Sequence, residues 1–160
     1  MQRICLFPGT FDPVTFGHTD IIDRALPLFD KLVIGIGRNA QKTPMFSEEL
    51  RLSWIREIYK SDSRVEVVAY EGLTVDCCKE VGANFILRGI RYVNDFEYEK
   101  AIADMNRSLA NNIETIFLTC LPQYTSVAST LVRDVLKNGG DVSSFLPDVV
   151  NESLKHISVA

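Results

Sequence analysis

The sequence predicts an α/β fold in which parallel strands alternate with helices. Three observations carry that prediction. Short apolar runs rich in β-branched and aromatic residues recur along the chain, and amphipathic stretches with helical spacing lie between them. No repeat, low-complexity tract or linker interrupts the alternation. Strands that alternate with helices pair again through right-handed crossovers, which lay helices on both faces of the sheet. The expected architecture is a single Rossmann-like, doubly wound domain over residues 1–160, with a five-stranded parallel sheet flanked by helices.

The strands are expected at Ile4–Phe7, Leu32–Ile36, Val65–Ala69, Phe85–Leu87 and Ile113–Leu121. Residues 18–29 carry Ile21, Ile22, Ala25, Leu26 and Phe29 at helical spacing. A second helix begins at Ser47, a good N-cap with Glu48 and Glu49 behind it, and continues through Leu50, Leu52, Trp54, Ile55 and Ile58. Further helices are expected over about 74–81 and 95–109, and from Thr130 to Lys137, where Gly139-Gly140 closes the turn. The stretch from Pro147 to His156 reads as a last helix.

A chain of 160 residues, 46% of them hydrophobic, suffices for one full core. Seventeen Lys and Arg stand against 21 Asp and Glu, a net charge of −4, so no global basic field draws in nucleic acid. Any anion site must be local. The cysteines Cys5, Cys77, Cys78 and Cys120 lack CxxC spacing and read as reduced thiols of a cytoplasmic protein, with no disulfide frame or zinc site. No signal peptide opens the sequence and no apolar run is long enough for a membrane span, so neither membrane nor nucleic acid is an expected partner.

In open α/β sheets a ligand sits beyond the carboxyl ends of the strands, where strand order reverses. The chemistry just after each strand is therefore informative. After the first comes Gly9-Thr10-Phe11-Asp12-Pro13-Val14-Thr15-Phe16-Gly17-His18; after the second, Arg38 and Lys42; after the third, Gly72-Leu73-Thr74. After the fourth comes Arg88-Gly89-Ile90-Arg91, and after the fifth the stretch Tyr124 to Thr130, with Arg133 one turn into a helix. A glycine-bearing turn before a helix points N–H groups and the positive dipole end at an anion. His18 adds a donor there, one that can carry positive charge near neutral pH.

Each feature has a plainer reading. Thr10 suits a turn, His18 a helix cap, and Asp12-Pro13 turn architecture. Lys42 in its loop would ordinarily be solvated. An arginine closing an apolar strand, as Arg88 does, is costly unless it meets an anion. With Arg91 three residues on, two guanidinium forks are expected to face one polyphosphate. Glu97 and Glu99 read as a solvated helix face, and His156 as an inert surface residue. Gly35-Ile36-Gly37-Arg38-Asn39-Ala40 matches a dinucleotide fingerprint, but its glycines fall within the second strand and no helix is expected before Ser47, so it is set aside. No P-loop and no serine nucleophile elbow occurs.

Thr15-Phe16-Gly17-His18 resembles the (His/Thr)-x-Gly-His signature of the nucleotidylyltransferase superfamily. Over essentially its full length the chain resembles bacterial phosphopantetheine adenylyltransferase. The matching pieces are Gly9–Pro13 with Thr15–His18, Lys42 with Pro44-Met45-Phe46, Arg88–Arg91 followed by Asp95-Phe96-Glu97-Tyr98-Glu99, and Met105-Asn106-Arg107. Ser129-Thr130-Leu131-Val132-Arg133 and Gly140-Asp141-Val142 with Phe145-Leu146-Pro147 complete them. Ala128 departs from a usual serine, and Phe16 and Thr74 are also unusual choices.

The resemblance implies transfer of adenylyl from ATP to 4′-phosphopantetheine, giving dephospho-coenzyme A and pyrophosphate. It implies that Thr10 and Lys42 hold the acceptor phosphate and the α-phosphate, that His18 stabilises the transition state, and that Arg88 and Thr74 contact the pantetheine substrate. Phe11, Gly89, Ile90, Arg91, Glu99 and the run Tyr124, Thr125, Ser126, Val127, Ala128, Ser129 and Thr130 would hold ATP. Mg²⁺ would be bound mainly through phosphates, without protein ligands. The family is commonly a homohexamer with feedback by coenzyme A. Two alternatives stay open: a related transferase acting on nicotinamide mononucleotide or making a CDP-alcohol from CTP, and a non-catalytic adenine-nucleotide sensor.

Overall fold

The structure is a computed structural model that describes residues 2–38 and 43–157. Five parallel strands, β1 (Ile4–Gly9), β2 (Lys31–Arg38), β3 (Val65–Glu71), β4 (Phe85–Ile90) and β5 (Glu114–Thr119), form one sheet in the order β3-β2-β1-β4-β5. Between and after them lie α1 (Phe16–Ala25), α2 (Glu48–Ile58), α3 (Thr74–Val81), α4 (Val93–Leu109), α5 (Ser129–Lys137) and α6 (Asp148–Leu154).

The strands read as apolar runs because the sheet is covered on both faces. Successive side chains alternate between those faces. Cys5 and Phe7, with Leu32, Ile34, Ile36 and Leu87, pack against Ile22, Trp54, Ile55, Val132 and Val150 from α1, α2, α5 and α6. Leu6, Val33 and Ile86 face the other way, against Val75, Cys77 and Cys78 of α3. Burial pushes the Cys77 and Cys78 thiols up to about 11 and 12, so both are inert apolar fillers. Among the described residues no helix is long and apolar enough to cross a membrane.

The element boundaries differ from expectation in two instructive places. α1 begins at Phe16 and ends at Ala25, because Pro27 converts the last expected turn into a 3₁₀ turn at Leu26–Leu28. β4 runs on to Ile90, so Arg88 lies inside the strand rather than after it. Gly35 and Gly37 do lie within β2. A Cβ on Gly35 would sit 3.1 Å from the Tyr70 ring and one on Gly37 3.2 Å from its hydroxyl, so these glycines make room for Tyr70.

Strand order reverses between β1 and β4. β1 pairs with β2 over six residues but with β4 over only Cys5–Phe85 and Leu6–Ile86. Past Leu6 the two strands part, and the Pro8 carbonyl is left without a strand partner on that side. The crevice opens there.

Candidate active site

A cavity of about 850 Å³ lies over the carboxyl ends of β1 and β4. It is bounded by the Gly9–Asp12 turn, the start of α1, Arg88, Gly89 and Arg91, and Val127–Thr130. A second cavity of about 250 Å³ adjoins it, sharing Pro8, Gly9, Thr10, Arg88 and Glu99, and extends to Tyr70, Thr74 and Asn106. Of the sequence-derived candidates, Thr10, Phe11, His18, Arg88, Gly89, Arg91, Glu99, Val127, Ala128, Ser129 and Thr130 meet at the larger cavity, and Thr74 lines the smaller. Ile90, Tyr124, Thr125 and Ser126 line neither. Arg38 turns away to a two-pronged ion pair with Glu48, both bonds 2.7 Å. Lys42 lies outside the described residues.

His18 is at once a cap and a candidate donor. As the third residue of α1, its Nδ1 accepts the Thr15 backbone N–H at 3.0 Å. A backbone amide can only donate, so Nδ1 is unprotonated and the proton of the neutral ring sits on Nε2. Removal from water, then the Arg91 and Arg88 cations, lower the imidazole to about 4. Of the two forms open to the ring, His18 therefore offers a neutral Nε2–H at neutral pH. The Phe11 ring, 1% exposed, packs against the imidazole at a centroid distance of 4.8 Å, so the core carries the histidine. Phe11 itself adopts φ +49°, a left-handed conformation uncommon for a residue with a Cβ.

The arginines are also partnered differently from expectation. Arg88 grips Glu99 with Nε at 2.6 Å and Nη2 at 2.5 Å, and its Nη1 donates to the Pro8 carbonyl at 2.7 Å. Glu99 is 9% exposed, which corrects its reading as part of a solvated face. The anion that makes Arg88 tolerable in a strand is this carboxylate. Arg91 pairs with Asp95 at 3.3 Å. Both arginines line the larger cavity, each with a carboxylate partner at its Nε.

Further contacts, several from residues outside the candidate set, tie the rim together. Asp12, 3% exposed, accepts the Met45 and Phe46 N–H groups at 2.8 and 2.9 Å. Arg133 donates to the Asp12 carbonyl at 2.6 Å, and Ser129 to the Pro13 carbonyl at 2.8 Å. Asp20 accepts from Arg24 at 3.1 Å, and Arg24 holds the Thr119 carbonyl at 2.8 Å, anchoring the end of β5 to α1. A Cβ on Gly17 would lie 2.9 Å from the Val127 carbonyl oxygen, so only glycine lets α1 approach that loop. Ala128 is the N-cap of α5 and supplies no capping side chain, leaving the first N–H groups of that helix unoccupied by one. Arg51, 5% exposed, is the residue the sequence reading missed. The signal was available: Arg51 falls on the stripe of Trp54, Ile55 and Ile58, where an apolar residue belongs.

Comparison with known proteins agrees with this geometry. The Cytidylyltransferase-like family model matches residues 6–135. A phosphopantetheine adenylyltransferase of Flavobacterium psychrophilum is 53% identical over 149 residues, 93% of this chain and 98% of that protein. The one from Bacteroides thetaiotaomicron is 49% identical, covering 92% of this chain and 97% of its own; that from Leptospira biflexa is 47% identical, with 96% of each covered. A crystal structure from Vibrio parahaemolyticus, provisionally described as a nicotinate-nucleotide adenylyltransferase, superposes with a TM-score of 0.69 over 96% of this chain and 99% of its own. At 20% identity that likeness speaks to the fold alone. With near-half identity or more over almost the whole chain, this protein belongs to the phosphopantetheine adenylyltransferases within the cytidylyltransferase-like family.

Proposed function

We infer that the protein transfers the adenylyl group of ATP to 4′-phosphopantetheine, releasing pyrophosphate and forming dephospho-coenzyme A. The observation that carries this reading to the site is the pair of adjoining cavities meeting at Thr10 and Arg88. The larger suits a nucleotide triphosphate, and the smaller, with Tyr70, Thr74 and Asn106 on its wall, suits an amide-bearing arm. In the reaction a terminal phosphate oxygen of the acceptor forms a bond to the α-phosphorus as the bond to pyrophosphate breaks. No protein nucleophile is needed; positioning and electrostatics do the catalysis. His18 Nε2–H stabilises charge on the transferring group, and Thr10 with Lys42 orients the two phosphates. Arg88 contacts the acceptor. Phe11, Gly89, Arg91 and the α5 N-terminus hold ATP, with Glu99 setting the direction of Arg88.

Mg²⁺ is proposed as the metal, held by phosphates and water. Glu99, Asp95 and Asp12 are already committed to arginines or backbone N–H groups, and no cluster of metal-ligating side chains occurs among the described residues. When bound, the ion neutralises the departing pyrophosphate. Buried thiols and a need for ATP fit a cytoplasmic setting. Pyrophosphate release from ATP with a panel of acceptors tests the reading. The expected result is turnover with 4′-phosphopantetheine, loss with EDTA, and inhibition by coenzyme A, which carries both halves of the product. Turnover with nicotinamide mononucleotide instead would overturn the acceptor, and silence with every acceptor would favour a nucleotide sensor.

Assembly as a homohexamer belongs to the same reading. Over the 17 residues of α4 only Glu99 is buried, while Val93, Phe96, Tyr98, Met105 and Leu109 are exposed. An apolar surface of that extent calls for a covering partner. Sedimentation should give a species of about six chains, and a monomer at micromolar concentration would reject it.

A further inference from the structure

The carbonyl oxygens of Pro8, Thr10 and Asp12 each accept a hydrogen bond from a different arginine. Arg88 of β4 reaches Pro8 at 2.7 Å, Arg51 of α2 reaches Thr10 at 2.7 Å, and Arg133 of α5 reaches Asp12 at 2.6 Å. Arg88 and Arg133 also line the larger cavity; Arg51 lines neither cavity. Its Nε donates to the Phe46 carbonyl at 3.0 Å, so one guanidinium spans the turn and the Met45–Phe46 segment that Asp12 holds from the other side.

We propose that Arg51 is a positioning residue of the active site, acting through the Thr10 carbonyl as the hidden member of a three-arginine clasp. This rests on the adenylyltransferase reading. A carbonyl oxygen is the negative end of a peptide dipole, and a turn that presented it to phosphate would repel the ligand. A charged donor fixes such an oxygen more strongly than a neutral one. In a planar trans peptide the next N–H points opposite the carbonyl, so holding Thr10 on Arg51 turns the Phe11 N–H the other way. That N–H has no acceptor among the described residues, and Phe11 borders the larger cavity. Arg51 thus orders both the Thr10 side chain and the adjacent N–H without touching substrate. Lysine keeps the charge but lacks the fork that bridges two carbonyls.

The test combines Arg51→Lys and Arg51→Met with Thr10→Ala. Arg51→Lys should lower kcat about tenfold, with KM for ATP changed less than about threefold, and that loss should shrink to about threefold in the Thr10→Ala background, the share carried by the Phe11 N–H, since residues acting as a unit are not additive. Amide hydrogen exchange should quicken at Met45 and Phe46, whose N–H groups the turn holds through the Asp12 carboxylate, and stay unchanged in the β1 and β2 core, which a merely destabilising change would not do. Equal losses in both backgrounds, or unchanged exchange at Met45 and Phe46, overturn the proposal. If Arg51→Met does not fold, Arg51→Lys decides alone. A wild-type protein silent with 4′-phosphopantetheine defeats the functional reading, while the exchange result still judges the clasp.

Discussion

Replacing His18 by alanine should slow turnover at least about a hundredfold, the scale of removing one preorganised donor from a developing charge. ATP binding, measured by calorimetry, should weaken far less, because a donor aimed at the transition state contributes little to the ground state. The same substitution removes the acceptor for the Thr15 N–H, and losing a helix cap costs about 0.5–2 kcal/mol. Melting temperature and kcat therefore separate the two roles: a few degrees of destabilisation with near-normal turnover would leave His18 only a cap. The protonation state offers an independent check. The imidazole is depressed from its ordinary 6.5 to about 4 in the folded chain. As pH falls through 6.5 the unfolded chain binds a proton that the folded chain refuses, so stability from this group declines between pH 6.5 and 4 and levels off below. NMR titration of the substrate-free protein should find the His18 midpoint near 4, with Nε2 protonated at neutral pH. A midpoint at or above 6.5 would restore the cationic histidine.

The second large effect is expected at Glu99. Changing it to alanine leaves the Arg88 guanidinium half-buried opposite nothing but the Pro8 carbonyl. Breaking a buried pair from one side costs about 3–5 kcal/mol, and the 28% exposure of the Arg88 side chain reduces this to about 2–3 kcal/mol. In a chain of this size that lowers the melting temperature by about 5–10 °C. Activity distinguishes two electrostatic pictures. If Arg88 served only as positive charge, freeing it would tighten acceptor binding. If its direction matters, kcat/KM for the acceptor should fall about tenfold or more, and Glu99→Gln, which keeps an acceptor oxygen, should recover part of the loss. Tighter acceptor binding in Glu99→Ala would reject the positioning role.

Much of this was legible in the sequence, for a reason that also marks its limit. Apolar runs such as Leu32–Ile36 announce buried parallel strands because both faces are covered, and the spacing of Leu50, Trp54 and Ile55 announces α2. Likewise, the glycine-bearing stretch before His18 announces the strand-to-helix junction, whereas the close approach of Gly17 to the Val127 carbonyl appears only in the fold. What periodicity does not contain is partnership. Arg88 looked available because its sequence neighbours are apolar, but Glu99, eleven residues on, comes to it only when α4 folds over β4. His18 looked able to carry charge because an isolated imidazole titrates near neutrality; its environment of Phe11 on the first turn and Arg88 and Arg91 at the end of β4 comes from two segments distant in sequence. Arg51 went unnoticed because an arginine on a helix is ordinarily a surface residue.

The three arginines that meet the first turn stand 80, 41 and 121 residues away from the carbonyls they hold. The turn is thus written early in the sequence and fastened by residues that come much later. During synthesis the turn emerges first, but it waits for Arg51, then Arg88, then Arg133. A chain released before α5 would carry every residue of the Gly9–His18 motif and lack one of its three fastenings. In refolding, recovered adenylyl transfer should trail recovered helix content, which makes enzymatic activity a readout of the last tertiary contacts to form.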